Sequence, residues 1–279
     1  MIRIKNMTFG YEKRPIFKSF NLDIGKGETV LITGINGTGK TTLLRLMAGV
    51  LFPMSGSIEY SEELGENPRK KIGFISDQEN LYEDMTLSAA MRYHSSVYGI
   101  SQFDMSLMEK AKLQTNKKIK DLSKGQKLIF HLSLLVSAQP EVLLIDEVIH
   151  SIDAYLREVF LNSLVDVMTQ RQMTVVMVNQ NFHDIEKIPQ RVILLKGGSI
   201  EVDESIEDLK RKVKKVVSVE EITGVPVLFS GKYADRHEYY LYPFDEDIEA
   251  QVKKSDSKVE VFDLNLNDIV KAFIGGEYR

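Results

Sequence analysis

Gly34-Ile35-Asn36-Gly37-Thr38-Gly39-Lys40-Thr41 stands between Glu28 to Thr33, a short apolar run, and Lys40 to Ala48, a run with helical spacing. A G-x-x-x-x-G-K-T pattern in strand, loop, helix order is the sequence form of a loop that wraps phosphates. Its glycines let the backbone curl until successive N–H groups face one point, and the helix behind adds the positive end of its dipole. Lys40 is placed to reach β- and γ-phosphates, and Thr41 to ligate Mg²⁺ through its hydroxyl. Gly34, Asn36, Gly37, Thr38, Gly39, Lys40, Thr41 and Thr42 form the candidate nucleotide-binding set.

Working outward, Ile2 to Thr8 and Phe20 to Ile24 read as strands before the loop, an N-terminal β region expected to be antiparallel. Gly49 and Pro53 close the helix, and Ser57 to Tyr60 and Lys71 to Ile75 are further strands. From Thr86 to about Val136 the spacing is helical, with Leu87, Met91, His94 and Tyr98 recurring on one face, so a helical insertion is expected over about 80–137. Val142 to Ile145, Thr174 to Val178 and Arg191 to Leu195 are rich in Val, Ile and Leu and alternate little, as strands covered on both faces do. The expected fold is α/β, a P-loop NTPase core with a mostly parallel sheet. Beyond Leu209 come the basic run Lys210 to Lys215, strands at Val216 to Val219, Val227 to Tyr233 and His237 to Tyr242, a helix at Asp245 to Lys253, a strand at Val259 to Phe262 and a helix at Asn265 to Phe273. Residues 1–209 are expected to form the nucleotide-binding domain and 210–279 a small α+β accessory domain.

The strand Val142 to Ile145 runs into Asp146-Glu147, which places two carboxylates at the carboxyl edge of the sheet, beside the phosphate loop. Acids also end strands without any chemical role; beside a phosphate loop, Asp146 becomes a candidate to hold Mg²⁺ through its waters and Glu147 to polarise an attacking water. Between these motifs lies Leu122-Ser123-Lys124-Gly125-Gln126, followed by Leu128, Leu132, Leu135 and Val136 on one helical face. On its own this is a polar N-cap, a glycine and an amphipathic helix.

In company with the other two motifs it resembles the signature of the ATP-binding subunits of the ABC superfamily, Leu-Ser-Gly-Gly-Gln, with Lys124 replacing the first glycine. The resemblance covers roughly residues 1–205 and keeps the family's motif order. It extends to Tyr11, where the family stacks an aromatic ring on adenine, and to Ser151-Ile152-Asp153, which is similar to the loop linking two nucleotide sites. It implies ATP and Mg²⁺ as ligands and a head-to-tail dimer, either homomeric or with a related subunit. In that dimer Ser123, Gly125 and Gln126 of one copy close on the nucleotide held by the other, with Asp153 nearby. It also implies an integral-membrane transporter subunit as partner and a cytoplasmic place on the inner face of the membrane. The ending from Asp263-Leu264-Asn265-Leu266 through Gly275-Gly276 is similar to that of drug, peptide and polysaccharide exporters, which points to export.

Two positions depart from the family pattern. Where the family carries a metal-sensing glutamine, a gapless match puts Asp77, with Gln78 next to it, so both are candidates. Where the family carries a histidine against the γ-phosphate, this chain has Gln180; His183 follows, and on a helix starting near Asn181 it would face the surface. An amide donates a hydrogen bond but carries no proton or charge. Hydrolysis is therefore expected to rest on Glu147, at a reduced rate.

Composition narrows the alternatives. With 279 residues, 43% hydrophobic and 27% charged, the chain can bury a sizeable core. A net charge of -4 gives no overall basic surface, so nucleic acid is not an expected partner. The chain has no cysteine, which excludes disulfides and thiolate chemistry. The Met1 to Thr8 stretch lacks the pattern of a secretory signal. The longest apolar run, Leu128 to Val136, is interrupted by His131 and falls far short of the roughly 20 residues of a membrane helix. A soluble ABC ATPase that works away from membranes and a nucleotide-binding regulatory module with slow turnover remain as alternatives. A GTPase lacks support, because no Asn-Lys-x-Asp element is present. The basic run is either a solvated helix end or a contact for anionic lipid headgroups.

Overall fold

The structure, a computed structural model, describes residues 1–12, 14–76, 81–149, 152–180 and 182–275. By contacts the chain divides into two compact units, Met1–Gln180 with Leu195–Ser199, and Asn181–Leu194 with Ile200–Arg279.

In the first unit, β1 (Ile2–Tyr11), β2 (Arg14–Ile24) and β4 (Ser55–Tyr60) form an antiparallel sheet in the order β2-β1-β4. Ile2, Ile4, Met7, Phe17, Phe20, Leu22 and Ile24 are buried, and the charged residues between them face outward. A second sheet of this unit holds β3 (Thr29–Thr33), β5 (Ile72–Ser76), β6 (Val142–Asp146) and β7 (Thr174–Val178), in the order β5-β6-β7-β3, while β8 (Arg191–Lys196) and β9 (Ser199–Ser205) fall chiefly in the second unit. From β5 to β3 every pair is parallel. Every residue of β3, β6 and β7 is buried, which is why these strands read as continuous apolar runs. The helices α1 (Lys40–Met47) and α5 (Ala154–Arg171) belong to the same unit.

The segment expected to be helical contains α2 (Leu87–Tyr98), α3 (Ser106–Lys110) and α4 (Lys124–Ser137). They share a separate core in which Leu87, Ala90, Met108, Ile119, Leu122, Phe130 and Leu134 meet. Thr86 caps α2, its hydroxyl accepting from Ala89 N at 3.2 Å, and Gly99 ends it in the left-handed conformation with φ 69°.

The second unit contains α6 (Ile206–Lys212), β10 (Lys214–Ser218), β11 (Val227–Tyr233), β12 (Arg236–Leu241), α7 (Glu246–Ser255), β13 (Glu260–Asp263) and α8 (Leu266–Ile274). Its antiparallel sheet has the order β11-β12-β10-β13. Val216, Tyr239 and Leu241 of this sheet pack with Ile222 and with Val252 of α7, and the Tyr239 hydroxyl accepts from Ile222 N at 3.0 Å. The unit begins before residue 210. Phe182 N donates to Asn267 Oδ1 at 3.1 Å, Leu266 N to Glu186 Oε1 at 3.2 Å and Phe244 N to Lys212 O at 2.7 Å, which bind residues 182–212 to the C-terminal elements.

The helix expected from near Asn181 is a run of turns over 183–187, and His183 is exposed as expected. Every cation of the basic run is ion-paired: Lys210 with Glu186, Arg211 with Asp208, Lys212 with Glu204, Lys214 with Asp263 and Lys215 with Glu238. That pairing favours a structural role over lipid contact. The ending from Asp263 supplies the last residue of β13 and then α8, whose Leu266, Ile269, Val270, Ala272 and Phe273 are buried.

Candidate active site

Strand register gathers the motifs. Ser76 of β5 pairs with Asp146 of β6, Asp146 with Val178 of β7, and Val178 with Ile32 of β3. Each chain leaves this row at its carboxyl end, into residue 77, Glu147, Asn179-Gln180 and Thr33-Gly34 respectively. One edge of one sheet thus receives the phosphate loop, the acid pair and Gln180, as the crossover between β3 and its neighbours predicts. Asp77 and Gln78 lie outside the described residues.

The loop is held by its own bonds. Thr38 donates to Ile35 O at 2.9 Å, and the buried Lys40 ammonium donates to Gly34 O at 2.8 Å and Ile35 O at 3.0 Å. An ammonium has three hydrogens, so one is left to point elsewhere. Burial lowers the Lys40 pKa, and the nearby charges of Glu147 and Asp146 oppose that shift. Gly39 stands at φ 97° immediately before α1; a Cβ there would lie 2.6 Å from Ile16 Cγ2 and 2.7 Å from Phe17 Cζ. A cavity of about 280 Å³ opens over this loop, lined by Ile16, Asn36, Gly37, Gly39, Lys40, Thr41, Thr42 and Glu147.

Thr41 donates to Asp146 Oδ1 at 3.1 Å. Burial raises the Asp146 pKa, and the Thr41 bond and the charges of Arg45 and Lys40 work against that shift. A hydroxyl and a carboxylate in contact form an all-oxygen donor set of the kind Mg²⁺ accepts. Glu147 adopts φ 51°, in the left-handed region, and is pinned by its N–H, which donates to Val178 O at 3.0 Å. Such backbone costs on the order of 1–3 kcal/mol and turns the carboxylate away from the line of the strand. Gln180 completes the cluster: its Nε2 donates to Glu147 Oε1 at 2.8 Å and to Asn36 Oδ1 at 2.6 Å.

The remaining candidates stand apart from this cavity. Ser123 caps α4 in a reciprocal box, its hydroxyl accepting from Gln126 N at 3.2 Å while Gln126 Oε1 accepts from Ser123 N at 3.2 Å. Gly125 is buried, and a Cβ on it would lie 2.8 Å from Leu156 Cδ1 and 3.3 Å from Ile152 Cγ2. This packing sets the start of α4 against the loop that follows the acid pair. Asp153 caps α5, accepting from Leu156 N at 3.0 Å, and Ser151 lies outside the described residues. Tyr11 ends β1 with 46% of its surface exposed, its ring edge-on to Phe9 at 5.3 Å. Ile16 is the lining residue that sequence reasoning missed. Its signal is the apolar position one before Phe17, within a strand that begins earlier than Phe20.

Sheet, loop and acid pair define a P-loop NTPase core. The family model described as "ABC transporter" matches residues 17–150. The ATP-binding protein YtrB of Bacillus subtilis (strain 168), an ABC transporter component, is 29% identical over 223 residues, covering 77% of this chain and 76% of that protein. The high-affinity zinc uptake ATP-binding protein ZnuC of the same organism is 29% identical over 212 residues, covering 71% and 92%. Among solved structures, the dimeric structure of MJ0796, a bacterial ABC transporter cassette, shares 25% identity with a TM-score of 0.62, covering 74% of this chain and 99% of that one. Residues 17–150 thus match the ABC transporter family, and along about three quarters of its length the chain is similar to the ATP-binding ATPase subunits of that family.

Proposed function

We propose that this chain binds Mg²⁺ and ATP at the cavity over Gly34 to Thr42 and hydrolyses ATP to drive a separate integral-membrane transporter subunit. The observation that carries the reading is the single cluster in which Thr41 meets Asp146 and Gln180 meets both Asn36 and Glu147. Lys40 and the loop N–H groups hold the β- and γ-phosphates, and Thr41 and Asp146 hold the metal, which neutralises charge on the phosphates. Glu147 accepts the hydrogen bond of the attacking water. Tyr11 supports adenine, and Asp77 or Gln78 senses the metal. The first unit serves as the nucleotide-binding domain and the second, which includes residues 210–279, as the accessory domain.

Ser123, Gly125 and Gln126 do not line the cavity of their own chain, which supports a head-to-tail dimer in which a second cassette, identical or related, brings its α4 to the nucleotide. A helix of this length offers free N–H groups and a positive end to the γ-phosphate. Among the described residues no helix is long and apolar enough to cross a membrane, which supports a membrane partner and a peripheral, cytoplasmic place. For direction we propose export, supported by the resemblance of the ending from Asp263, which forms α8; relatives named for zinc uptake and for sulfate/thiosulfate import make it the point most in need of a test.

The test is steady-state ATPase measurement with and without the co-purifying membrane protein. Wild type is expected to turn over, Glu147→Gln to lose at least about a hundredfold in kcat, and Gln180→His to gain. A wild type inactive in both settings sinks the ATPase-motor reading in favour of a regulatory nucleotide-binding module, which the amide at position 180 would suit. Cargo movement in vesicles carrying the complex gives the direction.

A further inference from the structure

The helical insertion carries a second cavity, of about 480 Å³ against about 280 Å³ over the phosphate loop. One side of it is α2. Ser88, Met91, Arg92 and Ser95 recur there at three- and four-residue spacing, so they share one face of the helix. Gly99 ends the helix in the left-handed conformation, and Ile100 N donates to Ser95 O at 3.1 Å, which tucks the following segment against the last turn. Ile100, Ser101 and Phe103 thereby supply a second side. Ser88 N donates to Thr115 O at 2.9 Å, and that bond sets Thr115 against the start of α2 as a third.

The chemistry of the lining is one-sided. Met91 and Phe103 pack against the core of the insertion and give the cavity a fixed apolar floor. The Arg92 guanidinium and the hydroxyls of Ser95, Ser101 and Thr115 have no partner among the described residues, and no carboxylate lines the cavity. Other cations of the insertion are matched: Lys120 pairs with Asp84 and Lys127 with Glu83. Arg92 stands over an apolar floor, among free hydroxyls, with its charge unanswered.

We propose that this cavity binds a small soluble organic anion, a carboxylate or phosphate monoester with a short apolar body. The guanidinium fork takes two oxygens of the anion side by side, the hydroxyls donate to the oxygens that remain, and the apolar body lies on Met91, Ile100 and Phe103. The volume falls within the range of about 300–1,000 Å³ usual for small-molecule sites. A membrane surface fits less well, because recognition of anionic lipid by charge uses clusters of about four to eight cations and this cavity has one. An occupant would join α2 to the segments that hold Ile100 and Thr115, and so stabilise the folded insertion by mass action.

The experiment is a titration of the full chain, labelled with ¹³C at its methionine methyl groups and saturated with Mg²⁺ and ADP so that the phosphate loop is filled. The probe is hexyl phosphate; ethyl phosphate and hexylammonium are the comparisons. The Met91 methyl resonance is expected to shift saturably with hexyl phosphate while that of Met47 in α1 stays in place. Ethyl phosphate should bind at least about tenfold more weakly, since most of its apolar contact is gone, and hexylammonium should leave Met91 unmoved. Arg92→Gln should weaken hexyl phosphate by about threefold to tenfold, the modest factor suited to an exposed cation, and Arg92→Glu by more. Arg92 is exposed, so both variants should keep the fold, which an unchanged Met47 resonance checks. A Met91 resonance that ignores hexyl phosphate, responds equally to hexylammonium, or titrates alike in wild type and Arg92→Glu overturns the proposal. So does Arg92-dependent sedimentation with phosphatidic acid vesicles in a protein that shows no response to hexyl phosphate, which would make the face a membrane contact.

Discussion

At the scale of single residues, Gly39 shows how backbone geometry and site geometry constrain one position. Its φ of 97° is unfavourable for any residue with a Cβ, and the space where that Cβ would go is taken by Ile16 and Phe17. Gly39→Ala should therefore destabilise the first unit by about 1–3 kcal/mol and weaken nucleotide binding together with it. Chemical denaturation followed by nucleotide titration checks both halves. Gly125 is constrained differently, by packing alone, since no positive φ is required there. Gly125→Val must displace Leu156 and Ile152, and overpacking of this kind costs about 1–3 kcal/mol. The same side chains connect the start of α4 to the loop after Glu147, so that variant should lose ATPase activity beyond what its stability loss explains. An unchanged rate in the folded fraction would count against a functional role for that contact.

At the scale of elements, α4 carries the candidate signature residues at its start and a pH liability in its middle. Ser123 and Gln126 close a capping box at its start, and Ser123→Ala should cost about 1 kcal/mol, read as a lower melting midpoint. Farther along, His131 is pushed down from the ordinary imidazole value of 6.5 to about 4, first by burial and then by the nearby His94, and its Nδ1 has no partner among the described residues. The folded state then binds fewer protons than the unfolded chain between those two values. This contribution is fully present above pH 6.5 and lost as the pH falls toward 4, by on the order of 3 kcal/mol. His131→Leu should flatten the acid limb of stability across that window, measured by urea titration at a series of pH values. An acid limb of unaltered slope would mean that other groups dominate it.

Elements are also where legibility in the sequence can be weighed. Thr174 to Val178 and Val227 to Tyr233 match their strands end to end, since buried runs and turn-bounded alternation are local signals. The strand β2 begins at Arg14, ahead of Phe20, because its buried residues Phe17 and Phe20 are three apart, with Ser19 at φ 48° between them, which breaks the two-residue alternation by which a strand is read. The strand β9 is not legible in the sequence, and helix α6 is legible only as the solvated helix end at Lys210 to Lys212: both are dense in charge, with ion pairs such as Arg191 with Asp203 and Lys212 with Glu204. Within the site, Lys40, Thr41, Asp146 and Glu147 were legible as motifs. The bridge from Gln180 to Asn36 was not, because it joins residues 144 positions apart and depends on strand register.

At the scale of the whole molecule, the arrangement of the site makes oligomeric state depend on chemistry. The cavity over the phosphate loop is built from one chain, while the capped start of α4 lies off it, with Ser123 exposed and Lys124 exposed in place of a glycine. In the proposed dimer each nucleotide is the bridge between two copies, so its terminal phosphate is worth interface energy only while it remains attached. Hydrolysis removes that bridge, and the copies should part. Glu147→Gln keeps the loop, the metal oxygens and the Gln180 contact site but removes the carboxylate that polarises water. With Mg²⁺ and ATP it should therefore accumulate as a dimer, while wild type under turnover returns to monomer and ADP supports monomer for both. Sedimentation velocity at several protein concentrations reads this directly. A variant that binds ATP yet stays monomeric at concentrations where wild type is active would mean that α4 of a second copy does not complete the site.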